Sequence, residues 1–179
     1  MNFLHSVVLL AFLFLTAGSS SAQTHFLFED PEPFKNPVQL PTGAVELLQR
    51  EMHAASYCPN QTAVPAQSLR ASRIDLGRDR LAFIVRSSDD CFNGADNDRF
   101  SIVLHTTHGY ELLLQGGTVA VTVRTERTHG FPEIETNAAS PEGIYRELYK
   151  YDGSVYNASS CTRTSFSTSK PERVTCRSH

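Results

Sequence analysis

Residues 79–126 contain four short segments in which apolar and polar residues alternate, and this pattern constrains the fold more than any other feature of the chain. The segments are rich in Val, Ile, Leu and Phe, and they read DRLAFIVRSS, RFSIVLHTT, YELLLQGG and TVAVTVRTE. A period of two places successive side chains on opposite faces of a β-strand. Gly109 and the pair Gly116-Gly117 favour turns between segments. The segments therefore predict an antiparallel meander.

The alternation also assigns side chains of the third and fourth segments to faces. In the third segment, we expect Tyr110, Leu112 and Leu114 to share one face of the strand. In the fourth segment, the alternate valines from Val119 to Val123 share one face. These faces are expected to form part of the apolar core.

The only clear helical pattern lies in residues 42–58, TGAVELLQREMHAASYC. Val45, Leu48 and Met52 recur at helical spacing, whereas polar residues fall elsewhere around the helix. We expect Thr42 to cap the amino terminus of this helix. The predicted fold class is therefore α+β, with one N-terminal amphipathic helix packed on a mainly antiparallel β-sheet built as a meander of hairpins and braced by disulfides.

The first 22 residues have the features of an export signal. Residues 1–22 contain no Asp, Glu, Lys or Arg, and their apolar stretch from Val7 to Leu15 is too short to span a bilayer. Ser20 and Ala22 are the small residues that signal peptidase requires, so cleavage is expected before Gln23. The sequence thus predicts a signal peptide and a secreted or periplasmic protein.

The rest of the chain is expected to form one arm and one domain. Residues 23–41 are rich in proline and predict an extended N-terminal arm, and residues 42–179 predict a single α+β domain. The formal net charge of −3 comes from mixed charges and does not favour nucleic acid as a partner. No other apolar run is long enough to predict a membrane span after cleavage.

The four cysteines follow the predicted signal and are expected to form two disulfides. An even number of cysteines in an exported chain is typical of disulfide pairing. Three pairings are possible for Cys58, Cys91, Cys161 and Cys176. We favour Cys58 with Cys91 and Cys161 with Cys176, because sequential pairing closes short loops. No C-x-x-C sequence is present to favour a metal site instead.

The segment YDGSVY predicts a β-hairpin and one candidate binding face. If Asp152 and Gly153 form a two-residue turn, Tyr149 lies opposite Tyr156 and shares a face with Tyr151. These three tyrosines are the candidate binding face. The structural interpretation is favoured over it, because cross-strand aromatic neighbours stabilise a sheet by about 0.2–1 kcal/mol without any ligand.

The segment SSDDCFNGADNDRF is dense in oxygen ligands and contains weak calcium candidates, namely Asp89, Asp90, Asp96 and Asp98. Its spacing does not follow the D-x-[DN]-x-[DN]-G-x₅-E pattern of calcium loops. Asp, Asn and Gly are also common in turns. A surface loop anchored by a disulfide is therefore the favoured interpretation, and no cofactor is predicted.

Other polar residues offer candidates for an enzyme site but no motif. His105, His108 and His129 are near expected hairpin ends, and no H-E-x-x-H sequence supports a metal there. Glu133 and Glu135 are expected on one strand face as solvent-exposed carboxylates, with a paired acid and base as the alternative. No catalytic residue is assigned.

Two N-x-[ST] triplets begin at Asn60 and Asn157 and fit the glycosylation acceptor. Triplets this short also arise by chance. They are relevant only in a eukaryotic source, and the sequence does not identify the source.

Residues 91–161 contain an ordered set of motifs: CFNGADNDRFSIVLHTTHGYELLLQGG, VAVTVRTERTHGFPEI, YRELYKYDGSVY and a following Cys. This set resembles a group of small exported bacterial proteins of unassigned function. The resemblance implies an exported α+β domain and supplies no catalytic residues. Members of the group often carry a second cysteine where this chain has ADND. That departure removes a local partner for Cys91 and favours its pairing with Cys58.

The sequence therefore predicts a binding protein. The leading hypothesis is a non-enzymatic extracytoplasmic domain that binds a protein, a peptide or an envelope component. The first alternative is a secreted hydrolase with a site built from the histidines and nearby acids. The second is a structural envelope protein.

Overall fold

The computed structural model describes residues 23–28, 33–54, 58, 60–77, 80–93 and 97–176. The predicted signal peptide lies outside these residues. The strands of the described residues are β1 (Thr24–Leu27), β2 (Leu69–Asp75), β3 (Leu81–Ser87), β4 (Asp98–Thr106), β5 (Gly109–Thr118), β6 (Ala120–Thr128), β7 (Phe131–Ser140), β8 (Gly143–Tyr151), β9 (Tyr156–Ser165) and β10 (Pro171–Val174). The α-helix is α1 (Thr42–Glu51), and short 3₁₀ helices span Ala66–Ser68 and Asp90–Phe92.

The strands form two antiparallel sheets. One sheet has four strands in the order β2-β3-β4-β5, and the other has six in the order β1-β6-β7-β8-β9-β10. The predicted meander is confirmed from β3 to β5, but the fourth predicted segment, β6, does not pair with β5 and belongs to the second sheet. The chain changes sheets at Val119, where the Val119 amide donates to the Asn137 carbonyl at 2.8 Å. Thr118 fixes this crossover, because its hydroxyl lies 2.7 Å from the carbonyl oxygens of both Ala120 and Asn137 and donates its one proton to either of them.

The helix and the two sheets form three layers. Ile84 of β3 contacts the core between the sheets, whereas its neighbours Phe83 and Val85 contact the cluster beneath α1. Both faces of the four-stranded sheet are thus covered, which explains why LAFIV in β3 is continuously apolar. The core between the sheets includes Phe100 and Ile134, which are both almost fully buried.

The helix is a smaller part of the fold than the sequence suggested. It spans only Thr42–Glu51 and follows strand β1, so the chain is mostly antiparallel β with one short helix. The prediction that Thr42 caps the helix is wrong. Pro41 occupies the cap position, no side chain bonds there, and its carbonyl accepts from the amides of Ala44 and Val45.

A β-bulge in β5 changes the predicted faces of that strand. Ile102 pairs with Leu114 and Val103 pairs with Leu112, so Leu113 is the extra residue. A bulge shifts the alternation by one position. Leu112 therefore packs in the helix-side cluster, while Leu113 and Leu114 both face the core between the sheets. The prediction that Leu112 and Leu114 share a face is wrong.

The predicted disulfide pairing is confirmed by two bridges. Cys58 is bonded to Cys91, and Cys161 is bonded to Cys176, with sequence separations of 33 and 15 residues. Such bridges persist in oxidising compartments. They are therefore consistent with an extracytoplasmic protein. In the part of the chain that the structure describes, no helix has the length and apolar character of a membrane span.

The described part of the N-terminal arm packs against both sheets. Strand β1 pairs with β6, and Phe28 and Phe34 pack edge to face with a centroid separation of 5.9 Å. Further along, the Val38 amide donates to the Ala71 carbonyl at 2.9 Å. The arm thus covers part of the outer edge of β2.

Candidate functional site

A concave site lies between the two sheets at one side of the sandwich. It is a cleft of about 630 Å³ lined by residues 112–115 of β5, Tyr149 of β8, residues 155–158 of β9 and its preceding turn, and Cys176. We call it the β5–β9 cleft. A volume of this size is within the range of small-ligand sites in proteins.

The walls of the β5–β9 cleft are the edges of strands. Successive side chains of a strand point to opposite faces, so side chains alone would contribute only every second residue to one surface. The cleft is lined by every residue from 112 to 115, and its surface therefore includes their backbone as well as their side chains. The opposite wall is lined by every residue from 155 to 158, so it includes backbone in the same way. The site therefore presents backbone amides and carbonyls beside apolar side chains.

Neither wall has a second strand partner in the described ranges. Strand β5 is an edge strand of its sheet and pairs only with β4. Strand β10 pairs only with residues 161–164 of β9, which leaves residues 156–160 paired with β8 alone. Two open strand edges therefore border one cleft.

Tyrosines from β8 and β9 form the floor of the cleft. Tyr149 is 3% exposed, and its hydroxyl donates to the buried carboxylate of Glu147. Tyr156 is 5% exposed and donates to the Pro132 carbonyl at 2.8 Å. Burial raises the pKa of both phenols, and the hydrogen bond to Glu147 raises the pKa of Tyr149 further. The floor is therefore uncharged.

The predicted two-residue turn of the β8–β9 hairpin is wrong. Tyr151, not Tyr149, pairs with Tyr156, and residues 152–155 form the loop. The Asp152 carboxylate accepts hydrogen bonds from the amides of Ser154 and Val155 at 2.8 and 3.0 Å. These bonds lower the pKa of Asp152 and stabilise the longer loop.

The three tyrosines are largely internal and do not form the exposed platform of the sequence hypothesis. Tyr151 stacks on Phe131 with a centroid separation of 3.8 Å, and Arg80 lies 4.0 Å above the same Phe131 ring. Tyr149 and Tyr156 contribute their buried rings to the core between the sheets. The sequence pattern identified residues beside the cleft, but it did not show that two of them are buried.

Carboxylates lie at the end of the cleft near Tyr151. Burial raises the pKa of Tyr151, and the charges of Glu111 and Asp152 raise it further while Arg80 lowers it. Glu111 is exposed on β5 and accepts a hydrogen bond from Thr106 at 3.2 Å. Glu111 directly precedes the lining residues 112–115 and Asp152 begins the loop that leads to residues 155–158, so both carboxylates lie next to one end of the cleft.

The calcium candidates have structural partners. The Asp89 carboxylate accepts from the Cys91 amide and the Gln61 side chain, both at 3.0 Å. Asp98 forms an ion pair with Arg86 at 3.3 Å, and burial raises its pKa although Arg86 lowers it. Asp96 lies outside the described residues. Among the described residues, no group of three His, Cys, Asp or Glu side chains is placed to hold a metal.

The three candidate histidines are exposed at hairpin ends. His105 packs on Tyr110 with a centroid separation of 4.9 Å, and His108 lies in the β4–β5 turn. His129 lies in a separate turn, between β6 and β7, and has φ 52° beside Gly130 with φ 80°. Two positive φ values fit a type I′ hairpin, so this histidine has a backbone role in its turn.

Glu133 and Glu135 differ from the predicted solvent-facing pair. Glu133 is only 8% exposed and forms an ion pair with Lys150 at 3.0 Å. Glu135 is half-buried and lies 2.9 Å from Arg124 and 3.3 Å from Arg146. Both carboxylates thus belong to a charge network on the outer face of the six-stranded sheet, away from the cleft.

Comparisons with models of protein families, with curated proteins and with solved structures gave no match to this chain.

Proposed function

We propose that this protein is a non-enzymatic extracytoplasmic binding domain and that its ligand occupies the β5–β9 cleft. The observation that carries this proposal is the pair of open strand edges that border the cleft. The disulfides and the predicted signal peptide support an oxidising extracytoplasmic location. The resemblance to small exported bacterial proteins supports the same location.

The lining chemistry of the cleft favours binding over bond cleavage. Leu114, Val155 and Ala158 supply apolar surface, while the Gln115 and Asn157 amides supply neutral hydrogen-bonding groups. The surface of the cleft is divided about evenly between apolar and polar groups, and ligand sites combine both kinds. The ligand would be held by burial and oriented by hydrogen bonds.

A substitution that fills the cleft tests the proposal. Ala158 is half-buried on the cleft face of β9, so Ala158→Phe should occupy ligand space. Ser159 is an extra residue in β9, because Tyr149 pairs with Ala158 and Leu148 pairs with Ser160. This bulge places Ser160 on the outer face of the sheet, and because Ser160 is also half-buried, Ser160→Phe is the matched control. The variants place the same bulk on opposite faces of one strand.

The assay is thermal unfolding of residues 23–179 with separate sets of peptides, glycans and lipids. A ligand at a hundred times its dissociation constant stabilises the fold by about 2.7 kcal/mol, or about 5–10 °C in Tm for a domain of this size. We expect this shift in the wild type and Ser160→Phe but not in Ala158→Phe. Equal shifts in all three proteins, or no shift with any ligand class, would refute the proposal.

The location is tested separately by recovery of the protein from its native source. Extracytoplasmic protein should begin at Gln23 and contain no free thiol. Cytosolic protein that retains residues 1–22 would contradict export.

A further inference from the structure

We infer that the ligand is an extended polypeptide segment, which adds as a strand along the free edge of β5 and places a Lys or Arg side chain beside Glu111. This inference rests on the proposed function and names the ligand class for the same cleft. Its basis is the chemistry of the two walls, the protection of the other sheet edges and the charge next to one end of the cleft.

The backbone groups of β5 are available to a strand partner. A strand at the edge of a sheet presents a row of amides and carbonyls that another chain can pair with. Peptides that bind in this way gain affinity from main-chain hydrogen bonds and specificity from pockets for alternate side chains. The β5–β9 cleft supplies both an open edge and an apolar pocket along that edge.

The other sheet edges of the described residues are short or partly covered. β1 has four residues, and β10 has four that include Pro171 and the charged pair Glu172 and Arg173. β2 is partly covered by the arm through the bond from Val38. By contrast, β5 has ten residues and contains no Pro, Lys or Arg. It is the longest of these edge strands, and its bulge at Leu113 and the charge of Glu111 are the protective features that it does have.

The shape of the cleft fits a short extended segment. Each wall contributes four consecutive residues, 112–115 on one side and 155–158 on the other. At about 3.3 Å per residue, four to five residues of an extended ligand span about 13–17 Å. Alternate ligand side chains would point toward Tyr149, Leu114 and Ala158, so apolar residues are expected at those positions and polar residues between them.

Charge complementarity identifies the polar end of the ligand. Glu111 is exposed on β5 directly before the lining residues 112–115, and Asp152 begins the loop that leads to residues 155–158. The lining residues themselves include no charged side chain. The nearby Arg80 packs on Phe131 and donates to the carbonyls of Leu76 and Gly77. A basic side chain of the ligand is therefore expected at this end.

The probe is a display library of random decapeptides selected on the folded protein with its disulfides intact. Selected peptides that bind the wild type and Ser160→Phe but not Ala158→Phe are synthesised for measurement of Kd. We expect them to alternate apolar and polar residues and to contain Lys or Arg. Hydrogen exchange should show new protection of those β5 amides that do not pair with β4.

Backbone pairing is tested with two N-methylated forms of one selected peptide. The amides of a strand point alternately to its two sides, so methylation of one alternate set blocks only one side. At least one of the two forms should bind about tenfold more weakly or worse, because several main-chain hydrogen bonds are lost. Unchanged affinity of both forms would overturn strand addition.

The charge contact is tested with Glu111→Gln, and Glu126→Gln on β6 is the control. Glu126 is an exposed carboxylate that pairs with Arg124 and lies on β6, which contributes no residue to the cleft, whereas Glu111 adjoins the lining residue Leu112. An exposed ion pair should change Kd by about two- to fivefold. Glu111→Gln should therefore weaken the Lys peptide but not its norleucine analogue, and Glu126→Gln should weaken neither. Equal loss for both peptides would contradict the charge contact.

The remaining outcomes separate this inference from the proposed function. If a glycan or lipid shifts Tm in a manner that Ala158→Phe abolishes, while no peptide is selected, the binding function stands and the peptide inference is wrong. If sedimentation shows a wild-type dimer that Ala158→Phe dissociates, the occupant is a second copy of this chain. If no ligand of any class binds, both statements fail.

Discussion

Gly143 begins β8, the strand that carries the floor of the cleft, and it lies directly opposite Ser165 of β9. A β-carbon at position 143 would lie 2.9 Å from the carbonyl carbon of Thr164 and closer still to its oxygen. The obstacle is backbone, so the paired strands must separate to admit a methyl group. Gly143→Ala should therefore weaken the pairing of β8 with β9.

The expected loss of stability in Gly143→Ala follows from a comparison with Gly153, which lies just beyond the other end of β8. Gly153 has φ 118°, and nothing lies within 4 Å of the position that an alanine methyl group would take. Gly153→Ala therefore measures backbone strain alone, about 1–2 kcal/mol. Gly143→Ala adds a steric cost of about 1–3 kcal/mol to a similar strain, for a total of about 2–5 kcal/mol.

Urea unfolding with the disulfides intact measures the difference between these variants. With a slope near the middle of the usual range, about 2 kcal/mol per molar, the midpoint should fall by about 1–2.5 M for Gly143→Ala. The fall for Gly153→Ala should be about 0.5–1 M. If Gly143→Ala lowers the midpoint no more than Gly153→Ala does, the close approach of Thr164 does not reduce the stability of the variant, and the predicted steric cost is wrong.

Three further predictions concern the floor of the cleft and the bridge beside it. Tyr149→Phe removes a donor from the buried Glu147 carboxylate and should lower the free energy of unfolding by about 1–3 kcal/mol in urea; no change would contradict that bond. Joint replacement of Cys161 and Cys176 by Ser should cost about 3 kcal/mol for the 15-residue separation, and unchanged thermal unfolding would refute this. Because the folded state raises the pKa of Tyr149 and Tyr156, it retains their protons longer than the unfolded state. Stability should therefore fall as the pH rises above the ordinary phenol pKa of 10.0, and absorbance titration should show these two tyrosines ionising only with unfolding.

The sequence was most informative where local pattern and covalent chemistry decide the structure. Period-two alternation correctly predicted the strands around Ile84, Ile102 and Val121, because one or both faces of each strand are buried. Sequential pairing correctly predicted the disulfides. The position of the helix was also predicted, although its cap was not, because Pro41 provides the cap position without a side-chain bond.

The features that form the cleft were not predictable from local pattern. The bulge at Leu113 and the change of sheets at Val119 depend on the register between distant strands, and alternation alone does not specify either. The burial of Tyr149 depends on the second sheet that covers it. The sequence predicted that residues 155–158 belong to a hairpin. It did not predict that their outer edge is open, which follows from the end of β10 at Val174.

The crossover at residue 119 has a mechanical consequence for the sandwich. It is the shortest covalent link between the two sheets, and the hydrogen bonds of Thr118 and Val119 to Asn137 hold them together at that end. At the other end, near the turn between β4 and β5, the sheets are joined by non-covalent contacts: the Arg127 side chain donates to the Leu76 carbonyl at 3.2 Å, and Arg80 lies 4.0 Å from the Phe131 ring. Loss of these contacts would loosen the sandwich at this end, while the covalent link at residue 119 keeps the carboxyl end of β5 in place.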